Sequence, residues 1–590
     1  MSLLDAIPSG VLPPLPVAIP LAVCALILML SKRLHGHMPD ILATLTALVA
    51  SALCMLIATR AAESGPLIYW FGGWTPRDGH AVGIGFQIDA ASAWIAAFIG
   101  LLYAAAFVFA WGYFTNVHGH FQVLMLLFLA AMTGFCFTRD LFNLFVWFEV
   151  MSVAAFALTA YRLEGSALSG ALNFTVTNSL AGFMMLGGIG LIYARAGTLD
   201  YEGLRLAVAA NARDPVVAAA FCLIAVALMI KAAMVPFQFW LADAHAVAPS
   251  PVSVIFSGAM VSLGLFGLAK LTWVVFSGSD RILAALSDAM IGLGSLTAIL
   301  GGVMALRQRH LKRMLAFSTI SHAGIMILGI GVLSQAGAGG LLVYLVGHGL
   351  VKGALFMVAG ILLATRASID EIGLRGLGRG IEPAGIAMAL GGLLLAGLPV
   401  GLLDQGTHLM QGALDERGHR VALIATVLGC GLTGAAVLRG AARIFLGWGS
   451  VAGDEARAPS EDEQEKADRP LWLMLAPCLF LLALDLAAPA GPVEDLVRNA
   501  VPNFLHMSEP QTALPHGIAW LPWLSVAMAF AIAGYDLSRG HLPKVLLKLG
   551  SGVQAGPFRL LDAAHSGLIG DYVTWIVVGL ALLAGRLALA

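Results

Sequence analysis

The sequence predicts an all-α polytopic membrane protein of about 14–16 transmembrane helices. Three observations predict it. Of the 590 residues, 59% are apolar and only 11% are charged, against about 25% charged in an ordinary soluble domain. Mean hydropathy is +0.88. Apolar runs of about 20 residues, long enough to cross a bilayer as a helix, recur along the whole chain. A soluble enzyme of this length needs far more charge to cover its surface, and a disordered chain is far less apolar. A formal net charge of −1 leaves no basic field for nucleic acid.

Sixteen runs qualify, at roughly 12–31, 40–59, 90–112, 120–138, 141–161, 170–194, 215–235, 252–276, 283–305, 314–333, 339–364, 384–403, 420–446, 470–489, 517–536 and 569–590. The segment 236–248, after the seventh run, reads as a half-helix. Lys and Arg favour the connections after odd-numbered runs by about two to one, most densely at Arg307, Arg309, Lys312 and Arg313. The positive-inside rule then puts those connections in the cytoplasm and both termini outside it. The stretch 454–469, with EDEQEK at its centre, reads as a solvated cytoplasmic loop, and 543–562 as an interfacial amphipathic helix interrupted by Pro557. The N-terminus has no basic region before its first apolar run, so that run is expected to stay as a span. Cys24, Cys54, Cys136, Cys222, Cys430 and Cys478 are scattered without a CxxC. They read as small apolar residues, with no sequence-local metal or cluster site and no disulfide framework.

Charge left inside a span is expensive and therefore informative. Glu149 sits in FNLFVWFEVMS and Lys231 in ALMIKAAMVPFQFW, both mid-span. Opposite charges on two spans invite pairing, and a pair that can separate can exchange a proton. A static ion pair is the plainer alternative. Pro236 follows Lys231 by five residues and Pro399 interrupts LAGLPVGLLDQGTH, so both spans are expected to break there. Asp404 and His408 follow the second break at i, i+4, on one face if the helix resumes. His348 and Lys352 share a face of the eleventh run, with Tyr344 one turn earlier, a stripe suited to relaying protons. His322 in STISHAG is a further candidate, balanced against ordinary packing. Lys270 lies near the end of the eighth run and is expected to snorkel. The breaks at Pro236 and Pro399 lie five runs apart, and an odd offset reverses orientation. Residues 120–276 and 283–446 then read as inverted repeats, flanked by helices at 1–119, a charged loop at 447–470 and further helices at 471–590.

The segments FTRDLFNLFVWFEVMSVAAFAL, IKAAMVPFQFWLADAHAVAPSPVSVIFSG, LKRMLAFSTISHAGIMILGIG and GHGLVKGALFMVAGILL resemble the antiporter-like subunits of respiratory complex I and of Mrp-type sodium/proton antiporters. The resemblance covers roughly residues 85–445. FGGW followed by GFQIDAASA and DLFNLFVWFEV is most similar to the D-type Mrp subunit. The resemblance implies two inverted five-helix units, with helices 7 and 12 broken. It implies that Glu149 and Lys231 form the carboxylate–lysine pair of the input half, and that His348 and Lys352 belong to the central relay. It also implies no redox cofactor, partner membrane subunits in a bacterial inner membrane, and transport of protons, with sodium or potassium left open as a second ion.

Two departures stand out. SGAMVS offers only Ser257 and Ser262 where the family usually has a Lys or His. GLLDQGTH puts Thr407 near the usual helix-12 lysine, flanked by Asp404 and His408. The favoured reading is a proton-translocating subunit of an Mrp-type cation/proton antiporter complex. The alternatives are a proton-pumping subunit of a redox-driven complex (an NADH-quinone oxidoreductase or membrane-bound hydrogenase relative), a non-conducting structural membrane anchor, and an inorganic-carbon uptake module.

Overall fold

The computed structural model describes residues 10–34, 36–76, 83–114, 119–449, 471–488, 490–506, 513–538 and 569–589. The charged stretch 454–469 and the amphipathic stretch 543–562 lie outside the described residues. Among the described residues there are 20 helices. They are α1 Leu15–Met29, α2 Met38–Ser64, α3 Ala90–Tyr113, α4 His120–Phe137, α5 Leu141–Thr159, α6 Gly165–Ala196, α7 Tyr201–Ala210, α8 Pro215–Lys231, α9 Phe239–Val247 and α10 Ser250–Val274. The second half adds α11 Asp280–Arg307, α12 Leu311–Gly331, α13 Gln335–Arg366, α14 Glu382–Leu395, α15 Gly401–Glu416, α16 Arg420–Leu446, α17 Trp472–Ala487, α18 Ala490–Leu505, α19 Leu521–Ser538 and α20 Ile569–Leu589.

Among the described residues, twelve helices are long and apolar enough to cross a membrane, or 13 if α17 and α18, bent by 78°, count as one span. The shorter apolar helices α1, α8 and α14 account for the other predicted runs. The seventh run was expected to reach residue 235 and the twelfth residue 403, but α8 stops at Lys231 and α14 at Leu395. Three features are not expected from the sequence: the amphipathic α7, the helix α18, and a hairpin of β1 Leu67–Trp70 against β2 Gly85–Ile88. Four-residue strands are too short to stand out from the helical background of hydrophobicity.

Helix starts follow from local chemistry. Asp89, Asp140 and Asp214 cap α3, α5 and α8, each accepting a backbone N–H at 2.8 Å. Ser279 and Ser334 do the same for α11 and α13. The core is the central layer. Every residue of α10 is buried, and so is every residue of α12 but Arg313. The peripheral α6 leaves Leu168, Leu172, Phe183 and Leu191 exposed on its outer face, as lipid contact requires. Small residues let helices approach closely: a methyl at Gly301 would meet the Ser321 backbone, and one at Gly324 the Ala298 nitrogen.

Local geometry recurs along the chain. The Leu141 N–H donates to Leu199 O and the Tyr201 N–H to Arg139 O, and then Leu311 donates to Ile369 and Glu371 to Arg309. Each of these later residues stands 170 residues after its counterpart. The left-handed residues Leu163 and Gly197 recur in the same way as Leu333 and Ala367.

Among the described residues, one buried ion-pair group joins two connections and another joins a connection to α16. Arg139 is bidentate to Asp200, at 2.6 and 3.0 Å. Arg439 on α16 binds Glu371 at 2.8 and 3.0 Å, and Arg443 joins it at 2.9 Å. Arg439→Ala leaves the fully buried Glu371 short of a partner and should lower stability by about 3–5 kcal/mol. Arg205→Ala, which removes the exposed pair with Glu202, should change stability little. Thermal unfolding of the detergent-purified protein measures both, and equal effects would contradict this ranking.

Candidate functional site

The first cluster forms where α8 ends. Lys231 is its last residue and is 0% exposed. Ala233, two residues later, takes a left-handed φ of 52°, a costly conformation for a residue with a Cβ. The chain runs through Pro236 without regular structure and resumes as α9. The Lys231 ammonium donates to Ser152 Oγ at 2.6 Å and lies 4.2 Å from the centre of the Phe148 ring. Phe148, Glu149 and Ser152 are all on α5, so the lysine meets this helix one turn from the carboxylate. Glu149 and Lys231 act on each other electrostatically. Among the described residues, however, no ion pair within 4.0 Å joins them. Glu149 is half-buried, and its Oε1 has no hydrogen-bond partner there. Gly182 on α6 makes its room: a methyl there would land on Glu149 Oε1.

The second cluster lies between α12, α13 and α16. Lys352 is 0% exposed and donates to Leu315 O at 2.6 Å and to Ser318 Oγ. The i, i+4 spacing puts His348 one turn away on α13. Neither ring nitrogen of His348 has a partner among the described residues, and its ring centre is 5.4 Å from that of His322. His322 Nδ1 is 2.5 Å from the Tyr344 hydroxyl and its Nε2 is 3.0 Å from Thr433 Oγ1. His348, Lys352 and His322 are thus one group of polar side chains in an otherwise apolar core. Ser257 shares a 2.6 Å hydrogen bond with Thr319 Oγ1.

His245, inside the DAH motif, links the two clusters in chain order. Both of its ring nitrogens lack partners among the described residues. Its ring stacks 4.6 Å from that of Phe356, and Lys352 and Lys312 are its charged neighbours.

The third cluster sits where α14 stops and α15 begins. Residues 396–400, including Pro399, are irregular, and the glycines on either side of Pro399, Gly397 and Gly401, have φ of 90° and 82°. Asp404 and His408 lie one turn apart on α15, both half-buried. Asp404 Oδ1 is buried without a partner among the described residues. Thr407 bonds its own helix at Leu403 O, 2.8 Å away. Asp485 on α17 is 0% exposed and accepts the Leu403 N–H at 3.2 Å.

The snorkelling expected of Lys270 does not occur. It is 5% exposed and donates inward, to Cys136 O at 2.8 Å and to Ser92 Oγ at 3.4 Å. Sequence reasoning missed Ser152, Ser318, Thr433, Gly182 and Asp485. Hydroxyls and glycines in apolar helices carry no signal of their own. Asp485 did carry one, a lone carboxylate in LLALDLAAP. All six cysteines are buried and unbridged, and among the described residues no group of three or more His, Cys, Asp or Glu could hold a metal ion.

The family described as NADH:quinone oxidoreductase/Mrp antiporter, transmembrane, matches residues 138–433. That interval contains the first two clusters and Asp404 with His408. Among curated relatives, NADH-quinone oxidoreductase subunit N of Desulforudis audaxviator is 32% identical over 325 residues, 54% of this chain and 63% of that one. The chain therefore spans less than two thirds of that relative's length. The D-type subunit of a probable K(+)/H(+) antiporter of Rhizobium meliloti is 28% identical over 65% of this chain and 75% of its own. Among solved structures, a chain of the Mrp complex from Dietzia sp. DQ12-45-1b matches with a TM-score of 0.73 at 23% identity, covering 88% of this chain and 99% of that one. A chain of the archaeal membrane-bound sulfane sulfur reductase matches at 0.71 and 24%, covering 84% and 97%. These two likenesses are ones of fold.

The space kept by Gly182 has a measurable consequence. Gly182→Ala forces Glu149 aside and should destabilise the protein by about 1–3 kcal/mol. Gly190→Ala, on the same helix where a methyl meets nothing within 4 Å, should be neutral or slightly stabilising. Thermal unfolding of the two variants checks this, and a neutral Gly182→Ala would mean that the carboxylate is not confined there.

Proposed function

The chain belongs to the NADH:quinone oxidoreductase/Mrp antiporter transmembrane family, and from that premise we propose that it carries protons as one subunit of an Mrp-type cation/proton antiporter complex. One observation carries the reading. Lys231 and Lys352 are both fully buried, yet they are held by Ser152, Ser318 and a backbone carbonyl rather than by carboxylates. A charged residue at membrane depth costs about 2.5–3.5 kcal/mol even on the lenient insertion scales. A packing role is better filled by an apolar side chain. Neutral hydroxyl partners leave an ammonium free to release its proton, because no fixed carboxylate holds the charge in place.

In this mechanism a proton is exchanged at Glu149 and Lys231, Ser152 holding the ammonium one helical turn from the carboxylate. It passes through the interior by way of Lys352, His348 and His322, with Tyr344 and Thr433 fixing the His322 ring. It leaves near Asp404 and His408. Each transfer changes the field at the next group, so occupancy of one site biases its neighbour. Buried hydroxyls at Ser257 and Ser262 stand where the family usually offers a charge, so ordered water completes the path there.

The geometry that recurs at a 170-residue offset supports a duplicated architecture, in which the irregular segments around Pro236 and Pro399 are equivalent breaks in two inverted units. The coupled cation is sodium or potassium, and the partners are other membrane subunits of the complex. The location is a bacterial inner membrane with both termini outside the cytoplasm. The identity to an NADH-quinone oxidoreductase subunit N supports a second reading, the same conduit in a redox-driven pump.

Proton flux in proteoliposomes of the assembled complex tests the conduit in either assembly. Lys231→Ala and Glu149→Ala should each reduce flux at least ten-fold with assembly intact. Wild-type flux in both would favour a non-conducting membrane anchor.

A further inference from the structure

The start of α15 is short of hydrogen-bond donors. Asp404 Oδ1, Gln405 Oε1 and Asp485 Oδ2 are all buried acceptors without a partner among the described residues. Buried polar atoms are rarely left so, and each such atom calls for an explanation. Asp485 comes from another part of the chain, on α17, where it stands alone in an apolar run. It is 0% exposed, and its other oxygen accepts the Leu403 N–H at 3.2 Å, capping α15 from outside. Gly401 allows this approach. Its φ is 82°, and a methyl there would sit against Asp485 Oδ2. Asp404, one turn into the same helix, lies within the electrostatic reach of Asp485 and of Cys430. Cys430 lies against Tyr344, the partner of His322.

Asp485 accepts the N–H of Leu403, the residue before Asp404, so both carboxylates stand at the first turn of α15, and a single proton held by the pair relieves their repulsion. The helix decides which one keeps the charge. A carboxylate at a helix N-terminus is stabilised by the free N–H groups and the helix dipole, and Asp485 holds that position. We propose that Asp404 and Asp485 form a pair carrying one exchangeable proton, with Asp485 the fixed anion and Asp404 the carrier. An O–H bond forms on Asp404 as the N–H or O–H bond of the preceding donor in the His322–Tyr344 group breaks. The Asp404 proton then leaves to water on the half-exposed side shared with His408. The pair thereby takes over the task for which Thr407, at the usual lysine position, has no charge. Asp485 is a positioning residue that acts through Asp404.

This inference rests on the proton-conducting reading, and its test separates the two. Asp404→Asn, Asp485→Asn and the double variant are reconstituted in the assembled complex beside Lys231→Ala. Asp485→Asn keeps an acceptor for the Leu403 N–H and so preserves the cap. Each single variant should lower flux at least ten-fold, and the double variant should be no slower than the slower single one. Infrared difference spectra of the purified complex should contain a protonated-carboxyl band that Asp404→Asn abolishes and Asp485→Asn moves. Wild-type flux in Asp485→Asn beside a slow Asp404→Asn would make Asp485 a helix cap only, and a band unchanged in both variants would also overturn the pair. Wild-type flux in all the Asp variants with a slow Lys231→Ala would sink the pair and leave the relay. Wild-type flux in Lys231→Ala as well would sink the relay itself.

Discussion

The cost of keeping an ammonium in an apolar interior organises this molecule. Lys231 and Lys352 are completely buried, and neither has a carboxylate within ion-pairing distance among the described residues. What compensates is local and neutral: Ser152 and an aromatic face for one, Ser318 and a backbone carbonyl for the other. Such partners reduce the penalty without fixing the charge state. The breaks in the helices serve the same end. Where α8 stops at Lys231 and α14 at Leu395, the backbone that follows is irregular, and irregular backbone in an apolar setting needs protein or water around it. The buried α10 and α12 provide that enclosure.

The enclosure depends on close helix approach. Glycines at 301 and 324 let α11 and α12 meet backbone to backbone, and Gly182 opens just enough room for the Glu149 carboxylate. The ends of the bundle are fixed differently. Arg139 with Asp200 joins two connections, and Arg439 and Arg443 join α16 to the connection that carries Glu371, all through buried, multidentate ion pairs.

Much of the architecture was legible in the sequence. Every one of the sixteen apolar runs carries a helix, because hydrophobicity over about 20 residues decides membrane insertion with little help from context. Glu149, Lys231, His348, Lys352, His322, Asp404 and His408 could be named because a charge or an imidazole in an apolar run is conspicuous. Their partners could not. Ser152, Ser318 and Thr433 look like any small polar residue in a membrane helix, and only the fold brings them to a lysine or a histidine. The expectation that Glu149 and Lys231 would pair took no account of Ser152, which captures the ammonium. The snorkelling of Lys270 failed because Cys136 O and Ser92 lie inward of it. Asp485 stands out as a lone carboxylate, but nothing within its own segment marks that it caps α15 at Leu403.

The central claim is that the buried lysines work in series, as successive stations of one path. Proton flux through the reconstituted complex with Lys231→Gln, Lys352→Gln and both together measures this most directly. Blocking a single path twice is no worse than blocking it once, so the double variant should match the slower single one. A double variant whose loss is the product of the two single losses would contradict the account, and so would wild-type flux in either single variant.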